Sequence, residues 1–154
     1  MPKRYWLLKS EPEDYPFAKL KKDGRVGWTG VRNYQARNSM RDDMKIGDGV
    51  LFYHSNADPS AIVGIAEVSR ESHSDPTQFE KSSDYYDPKA KRETPTWMMV
   101  EIKYVEELKR PLSLEELRAT PGLEKMLLLK RGMRLSVQPV TPEEWKIICD
   151  AGCR

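Results

Sequence analysis

The sequence predicts an α+β fold with a mixed or barrel-like sheet. Three observations predict it. Strand-like and helix-like segments follow one another as β, short α, α, β, β, loop, β, α, α, β, α. Two of those strands are adjacent and joined by a short loop at 56–60, as an antiparallel hairpin requires. No βαβ series with a phosphate fingerprint occurs, which argues against a doubly wound parallel sheet.

Residues 5–9 are an aromatic and aliphatic run, read as a strand. Pro12 cannot donate to a ladder, so the strand breaks at 10–13. Residues 14–22 read as a short helix closed by Gly24, with Pro16 confined to its first turn. Residues 25–31 are punctuated by glycine around Trp28. Residues 32–41 have helical character: Ala36, Met40 and Met44 make an apolar stripe, and Asn33, Arg37 and Arg41 a polar one. Residues 50–55 and 61–69 are the hairpin strands, apolar on both faces in places and therefore central. Residues 71–96 are polar and form a long loop with a short turn near 75–79; loops of that length are usually functional or mobile. Residues 97–108 alternate as a strand that Pro111 ends. Ser113 to Glu116 has a capping-box pattern, Pro121 stands before an apolar stripe at 126–129, and residues 135–140 are a short strand. Thr141, Pro142 and Glu144 combine an N-cap, an N1 proline and an N3 glutamate, the strongest local signal in the chain.

With 154 residues the chain is read as one domain, 1–154, able to bury a core without staples. Fourteen aromatic residues argue against disorder, and no apolar run approaches a membrane span. Net charge is only +2, but residues 1–50 carry 11 basic against 7 acidic groups, enough to attract a polyanion. Mean hydropathy is −0.72. Cys149 and Cys153 are expected to be reduced thiols beside the last helix. No secretory signal is read at the start, so the expected compartment is the cytoplasm, with a nucleoid association compatible with it. Neither cysteine has a histidine at zinc-site spacing, so neither a metal nor a cofactor is expected.

No nucleophile elbow, Walker loop or dinucleotide fingerprint is present. The chemistry concentrates at 28–38 and 53–56. Glycines 27 and 30 flank Trp28 and allow a flat ligand to approach closely. Arg32 and Asn33 stand at the start of a helical stretch, where backbone N–H groups favour an anion. Asn33, Asn38 and Asn56 offer the paired donors and acceptors that suit a base edge. A plainer reading fits the same residues: a core tryptophan, solvated arginines and turn asparagines.

Residues 5–12 (YWLLKSEP), 28–38 (WTGVRNYQARN), 50–56 (VLFYHSN) and 62–68 (IVGIAEV) resemble the EVE domain family. So do residues 75–79 (DPTQF), 85–88 (YYDP) and 134–140 (RLSVQPV), and the resemblance covers essentially the whole chain. It implies a PUA-like fold, a mostly antiparallel β-barrel surrounded by helices, similar to YTH domains. It also implies a non-catalytic binder of a modified base in DNA or RNA, with no membrane partner. On that basis a flipped base enters a pocket between Trp28 and the strand end Tyr53, His54, Ser55 and Asn56. Ser10, Asn33, Asn38 and the Gly30–Val31 backbone read its edge, and Ser136 faces the same pocket. Lys9, Arg32, Arg37 and Arg41 hold flanking phosphates. Tyr85 and Tyr86 either close over the ligand or anchor their loop. Two other classes remain beside this one: a nucleotide hydrolase with His54 as base, and a protein adaptor presenting the acidic 71–96 loop.

Overall fold

The computed structural model describes residues 3–130 and 135–153, so Arg134, in the last block quoted above, lies outside the described residues. Six strands make one mixed sheet: β1 (Tyr5–Ser10), β2 (Arg25–Gly27), β3 (Gly49–His54), β4 (Ala61–Ser74), β5 (Met98–Ser113) and β6 (Val137–Val140). Among the described residues four α-helices flank it: α1 (Phe17–Asp23), α2 (Tyr34–Asn38), α3 (Leu114–Arg118) and α4 (Pro142–Gly152). The strand order is β2-β5-β4-β3-β1-β6. β1 and β3 are parallel, and the other neighbouring pairs are antiparallel. The α+β class therefore holds. The expected barrel is not closed: among the described residues β2 and β6 are the two free edges of the sheet.

Alternation along the central strands produces a core on each face. Trp6 and Leu8 of β1, with Val50 and Phe52 of β3, pack against Phe17 and Leu20 of α1 and Ala36 of α2. Leu7 and Leu51 point the other way and pack with Leu117 of α3 and Ile148 of α4. Burying each large apolar side chain contributes about 1.5–3 kcal/mol, so the double-sided strands hold the sheet at its centre. One buried carboxylate fixes the start of β1 against β3. Asp48 accepts hydrogen bonds from the Arg4 and Lys45 amides and from Trp6 Nε1, at 3.1, 3.0 and 3.0 Å.

Several boundaries differ from the sequence expectation. α1 begins only after Pro16, whose extended backbone precedes it. The helical stretch at 32–41 becomes the five-residue α2 and a π-helical turn at Ser39–Asp43, while its apolar stripe is buried as expected. β5 does not end at Pro111. The ladder skips between the pairs Ile62–Leu112 and Gly64–Glu107, and that irregularity accommodates a residue with no N–H to give. The stripe at 126–129 forms only a 3₁₀ turn, Leu127–Leu129. The capping box of α4 is present as read, with Thr141 and Glu144 exchanging side-chain to backbone bonds.

The long polar segment is tied down by its own side chains. Gln78 is fully buried; its amide Nε2 donates to the Asp75 and Trp97 carbonyls, both at 2.7 Å, and its Oε1 accepts from the Trp97 amide at 3.0 Å. Trp97 Nε1 donates to Asp87 at 2.8 Å. Length here does not mean slack.

His54 ties β3 to α1. Its Nε2 accepts from the Phe17 amide at 3.1 Å, satisfying one of the donors a helix start leaves over. Burial holds the imidazole below its usual pKa, and the acceptor role requires the neutral ring. The unfolded chain takes up the proton that folded His54 refuses. Stability therefore falls as pH drops from about 6.5 towards the lowered folded value. Urea midpoints at about pH 7.5 and about pH 5.5 should separate less for His54→Gln than for wild type. Equal separations would place the pH dependence elsewhere.

Candidate nucleic-acid interface

Parallel pairing sets the site. Because Ser10 stands opposite His54 in the parallel β1–β3 register, both strands finish at the same end of the sheet. The turns that follow them, at 11–15 and at 55, meet there; the Ser55 amide donates to the Ser10 carbonyl at 3.0 Å. The segment entering β6 joins them, with the Lys9 amide bonded to the Ser136 carbonyl at 2.9 Å. Residues 26–32 pass across the same end. Together they enclose a cavity of about 510 Å³, open to solvent. That volume is within the range of small-ligand sites.

Trp28 forms one wall. Phe52 and Tyr15 meet its ring edge-on, at centroid distances of 5.5 and 6.2 Å and interplanar angles of 84° and 86°. The indole is 8% exposed, and it lines the cavity. Val26, Gly27, Thr29, Gly30 and Val31 continue that wall, and Ser10, Ser55 and Ser136 supply hydroxyl groups. Ser10 Oγ is already committed, donating to the Tyr15 carbonyl at 2.7 Å.

Tyr85 arrives from the long loop and also lines the cavity. Its ring lies directly over Gly30. A Cβ at residue 30 would come within 2.7 Å of that ring, and the backbone there has φ +84°, so glycine is required twice over. Arg32 holds the tyrosine. Its Nε and Nη2 donate to the Tyr85 carbonyl at 3.1 and 2.8 Å, and its guanidinium lies 5.4 Å from the Tyr85 ring and 5.3 Å from Trp97. Nη1 pairs with Asp75 at 3.0 Å, and Nη2 also reaches Thr77 Oγ1 at 3.0 Å. Asp75 is 0% exposed. Burial alone would raise its pKa, but donors from Thr77, the Gly30 amide and Arg32 outweigh that and hold the carboxyl below its ordinary value.

The structure thus brings Lys9, Ser10, Trp28, Gly30, Val31, Arg32, Ser55 and Ser136 of the expected site together around one cavity. The remaining expected residues stand elsewhere, with local tasks. Asn33 caps α2, accepting from the Ala36 amide at 3.0 Å, so the anion-binding helix start expected there is already occupied. Asn38 accepts from Arg37 Nε at 3.0 Å. Tyr53 is buried on the opposite face of the sheet, with Leu7 and Ile62. His54 Nε2 accepts from the Phe17 amide at the start of α1, so that nitrogen is already engaged. Asn56 lies beside the turn, donating to Glu11 Oε1 at 2.5 Å. Arg37 Nη1 donates to the Thr96 carbonyl at 2.9 Å, and Arg41 pairs with Asp42 at 2.8 Å. Arg32, expected to meet a phosphate, spends its donors inside the protein.

Sequence reasoning missed Glu11, Asp14 and Tyr15 as cavity residues. The signal was the break at Pro12: a strand that stops there must turn at the sheet end where its parallel neighbour also stops. Tyr86, named with Tyr85, does not line the cavity.

Other places offer less. A depression of about 690 Å³ between Lys3, Asp42, Ile46 and Glu71 has no aromatic lining, and its charges pair with one another, Arg4 with Asp43 at 3.4 Å and Lys45 with Glu71 at 3.9 Å. Cys149 and Cys153 are free thiols, and burial pushes Cys149 up to about 11, far from a reactive thiolate. Among the described residues no three His, Cys, Asp or Glu side chains are grouped to hold a metal. No described helix is long and apolar enough to cross a membrane.

Comparison with known proteins places this geometry. Mouse thymocyte nuclear protein 1 is 44% identical over 162 residues, which cover 94% of this chain and 71% of that protein. A hypothetical protein from Leishmania major superposes with a TM-score of 0.92 at 45% identity, over 97% of this chain and 94% of that one. Human THYN1 protein, crystallised in complex with 5-methylcytosine-containing DNA, superposes with a TM-score of 0.89 at 40% identity, over 96% of each chain. Residues 4–151 match the EVE domain, and the chain belongs to the EVE domain family.

Proposed function

We propose that this chain is a non-catalytic nucleic-acid-binding domain that holds a modified nucleobase in the cavity between Trp28 and Tyr85. The observation that carries the reading is the cavity itself, with three aromatic side chains (Tyr15, Trp28 and Tyr85), three serines and backbone groups around a solvent-open space of about 510 Å³. The complex of human THYN1 with 5-methylcytosine-containing DNA supports a modified base in DNA as the ligand to test first. The PUA-like classification belongs to the same proposal. The absence of catalysis rests on chemistry: His54 is engaged as an acceptor, and Cys149 is held as a neutral thiol.

The energetics decide what each part contributes. Extruding a base costs a few kcal/mol, less for an unpaired one. Stacking on an aromatic ring returns about 1–3 kcal/mol whatever the base. A buried methyl adds only about 0.8 kcal/mol. Stacking and the methyl together offset extrusion without selecting strongly, so hydrogen bonds to the base edge and contacts to phosphates supply the remainder. Lys9 lines the cavity, and Arg37 stands on α2 with its guanidinium over the Tyr34 ring; these two are the proposed phosphate contacts, whereas Arg41 is paired with Asp42.

Tyr85 is 43% exposed, so Tyr85→Ala should leave the fold intact while weakening binding to a 5-methylcytosine oligonucleotide by about 1–3 kcal/mol. Trp28→Ala should weaken it as well, at a further cost in stability because that ring is also core. Anisotropy titrations against modified and unmodified oligonucleotides check both. Equal affinity of wild type for the two oligonucleotides, or no loss in either variant, would remove the cavity from the mechanism. The phosphate contacts have their own readout. Arg37→Ala should lower the slope of log K against log salt by about 0.7–0.9, and an unchanged slope would take Arg37 off the interface.

A further inference from the structure

Glu11 and Asp14 are cavity carboxylates whose chemistry the reading above leaves unused, and of the two Glu11 has its carboxylate held by a side-chain hydrogen bond. Its backbone is fixed: the Glu11 carbonyl accepts from the Asp14 and Tyr15 amides at 2.9 and 3.0 Å, and the preceding Ser10 carbonyl accepts from Ser55. Its side chain is fixed as well. Asn56 Nδ2 donates to Oε1 at 2.5 Å, and Asn56 does so from a left-handed backbone, φ +49°, which asparagine tolerates better than most residues. Among the described residues Glu11 forms no ion pair. Both ends of the side chain are set in advance at the cavity wall. Arg32, the guanidinium on that wall, is neutralised by Asp75.

We propose that Glu11, oriented by Asn56, determines specificity by accepting a hydrogen bond from the exocyclic amino group of the bound base. The ligand is then a cytosine-type pyrimidine, and its 4-oxo counterpart is rejected. The inference rests on the nucleobase reading of the cavity. An ionised carboxylate is an acceptor only, so it attracts an N–H edge and repels a carbonyl oxygen. That distinction is needed for a physical reason. Thymine carries the same 5-methyl group as 5-methylcytosine, so an apolar wall that welcomes the methyl cannot tell the two apart. Stacking cannot tell them apart either. A carboxylate acceptor opposite position 4 can, because the oxo base leaves two acceptors facing each other in a partly dehydrated site.

The test uses two single-stranded oligonucleotides that differ at one position, 5-methylcytosine or thymine, and three proteins: wild type, Glu11→Gln and Asn56→Gly. Glycine keeps the positive φ at residue 56 while removing the amide. Wild type should favour 5-methylcytosine by about tenfold or more. Glu11→Gln, whose amide can donate to an oxo group, should bring the ratio close to one. Asn56→Gly should fall between, losing affinity for 5-methylcytosine and keeping that for thymine. A wild-type preference that survives Glu11→Gln overturns this inference and leaves the nucleobase reading standing. Failure of wild type to bind either oligonucleotide overturns both.

Discussion

The site depends on one buried carboxylate. Asp75 Oδ2 takes the Gly30 amide at 2.8 Å and Arg32 Nη1 at 3.0 Å, while Oδ1 takes the Thr77 amide and hydroxyl at 2.8 and 2.6 Å. Two segments far apart in sequence, 28–32 and 75–97, are thereby fastened to each other. Breaking a buried pair by removing one partner typically costs about 3–5 kcal/mol, because the other charge is left without compensation. The fastening also sets geometry. With Asp75 fixing the guanidinium, Arg32 lies against both the Tyr85 and Trp97 rings. Tyr34 stacks on Trp97 at 4.9 Å, and Arg37 covers Tyr34 at 5.0 Å. Arg37, Tyr34, Trp97, Arg32 and Tyr85 thus form one stacked row from the exposed surface of α2 to the cavity wall. The row explains how an exposed tyrosine on a long loop keeps a defined place.

The other half of the site comes from topology. A parallel pair flanked by antiparallel neighbours brings the ends of β1 and β3 and the start of β6 to the same end of the sheet. Ser10, Glu11, Ser55 and Ser136 are brought together by that arrangement and not by sequence proximity. The rigid strands supply position and the turns supply the polar groups, a common division of labour in binding sites.

Much of the fold was legible because its causes are local or periodic. The apolar residues of 50–55 and 61–69 announced central strands, and the Thr141–Glu144 pattern announced a capped helix; both exist. Pro111 misled because a missing donor ends a strand only where the ladder needs that donor, and a bulge removes the need. The element order allowed a mixed or a barrel-like sheet, and the family likeness favoured the barrel; no residue pattern decided between them. In the site, Trp28 and Gly30 were legible from glycine spacing, and the serines came in through the family resemblance. The local tasks of the asparagines and of Arg32 were not legible. A polar side chain looks the same in sequence whether it meets a ligand or a neighbouring carbonyl. Asn33 caps a helix, Arg32 grips Asp75, and Asn56 orients Glu11, each by a contact with residues that only the fold brings near.

On the proposed function an extruded base occupies the space between Trp28 and Tyr85. A crystal structure of this chain with a 5-methylcytosine-containing oligonucleotide measures that directly. The account requires the modified base out of its stack, seated against the indole, with its amino edge toward Glu11. A base still stacked within the nucleic acid, or one lodged in the charged depression beside Ile46, would contradict it.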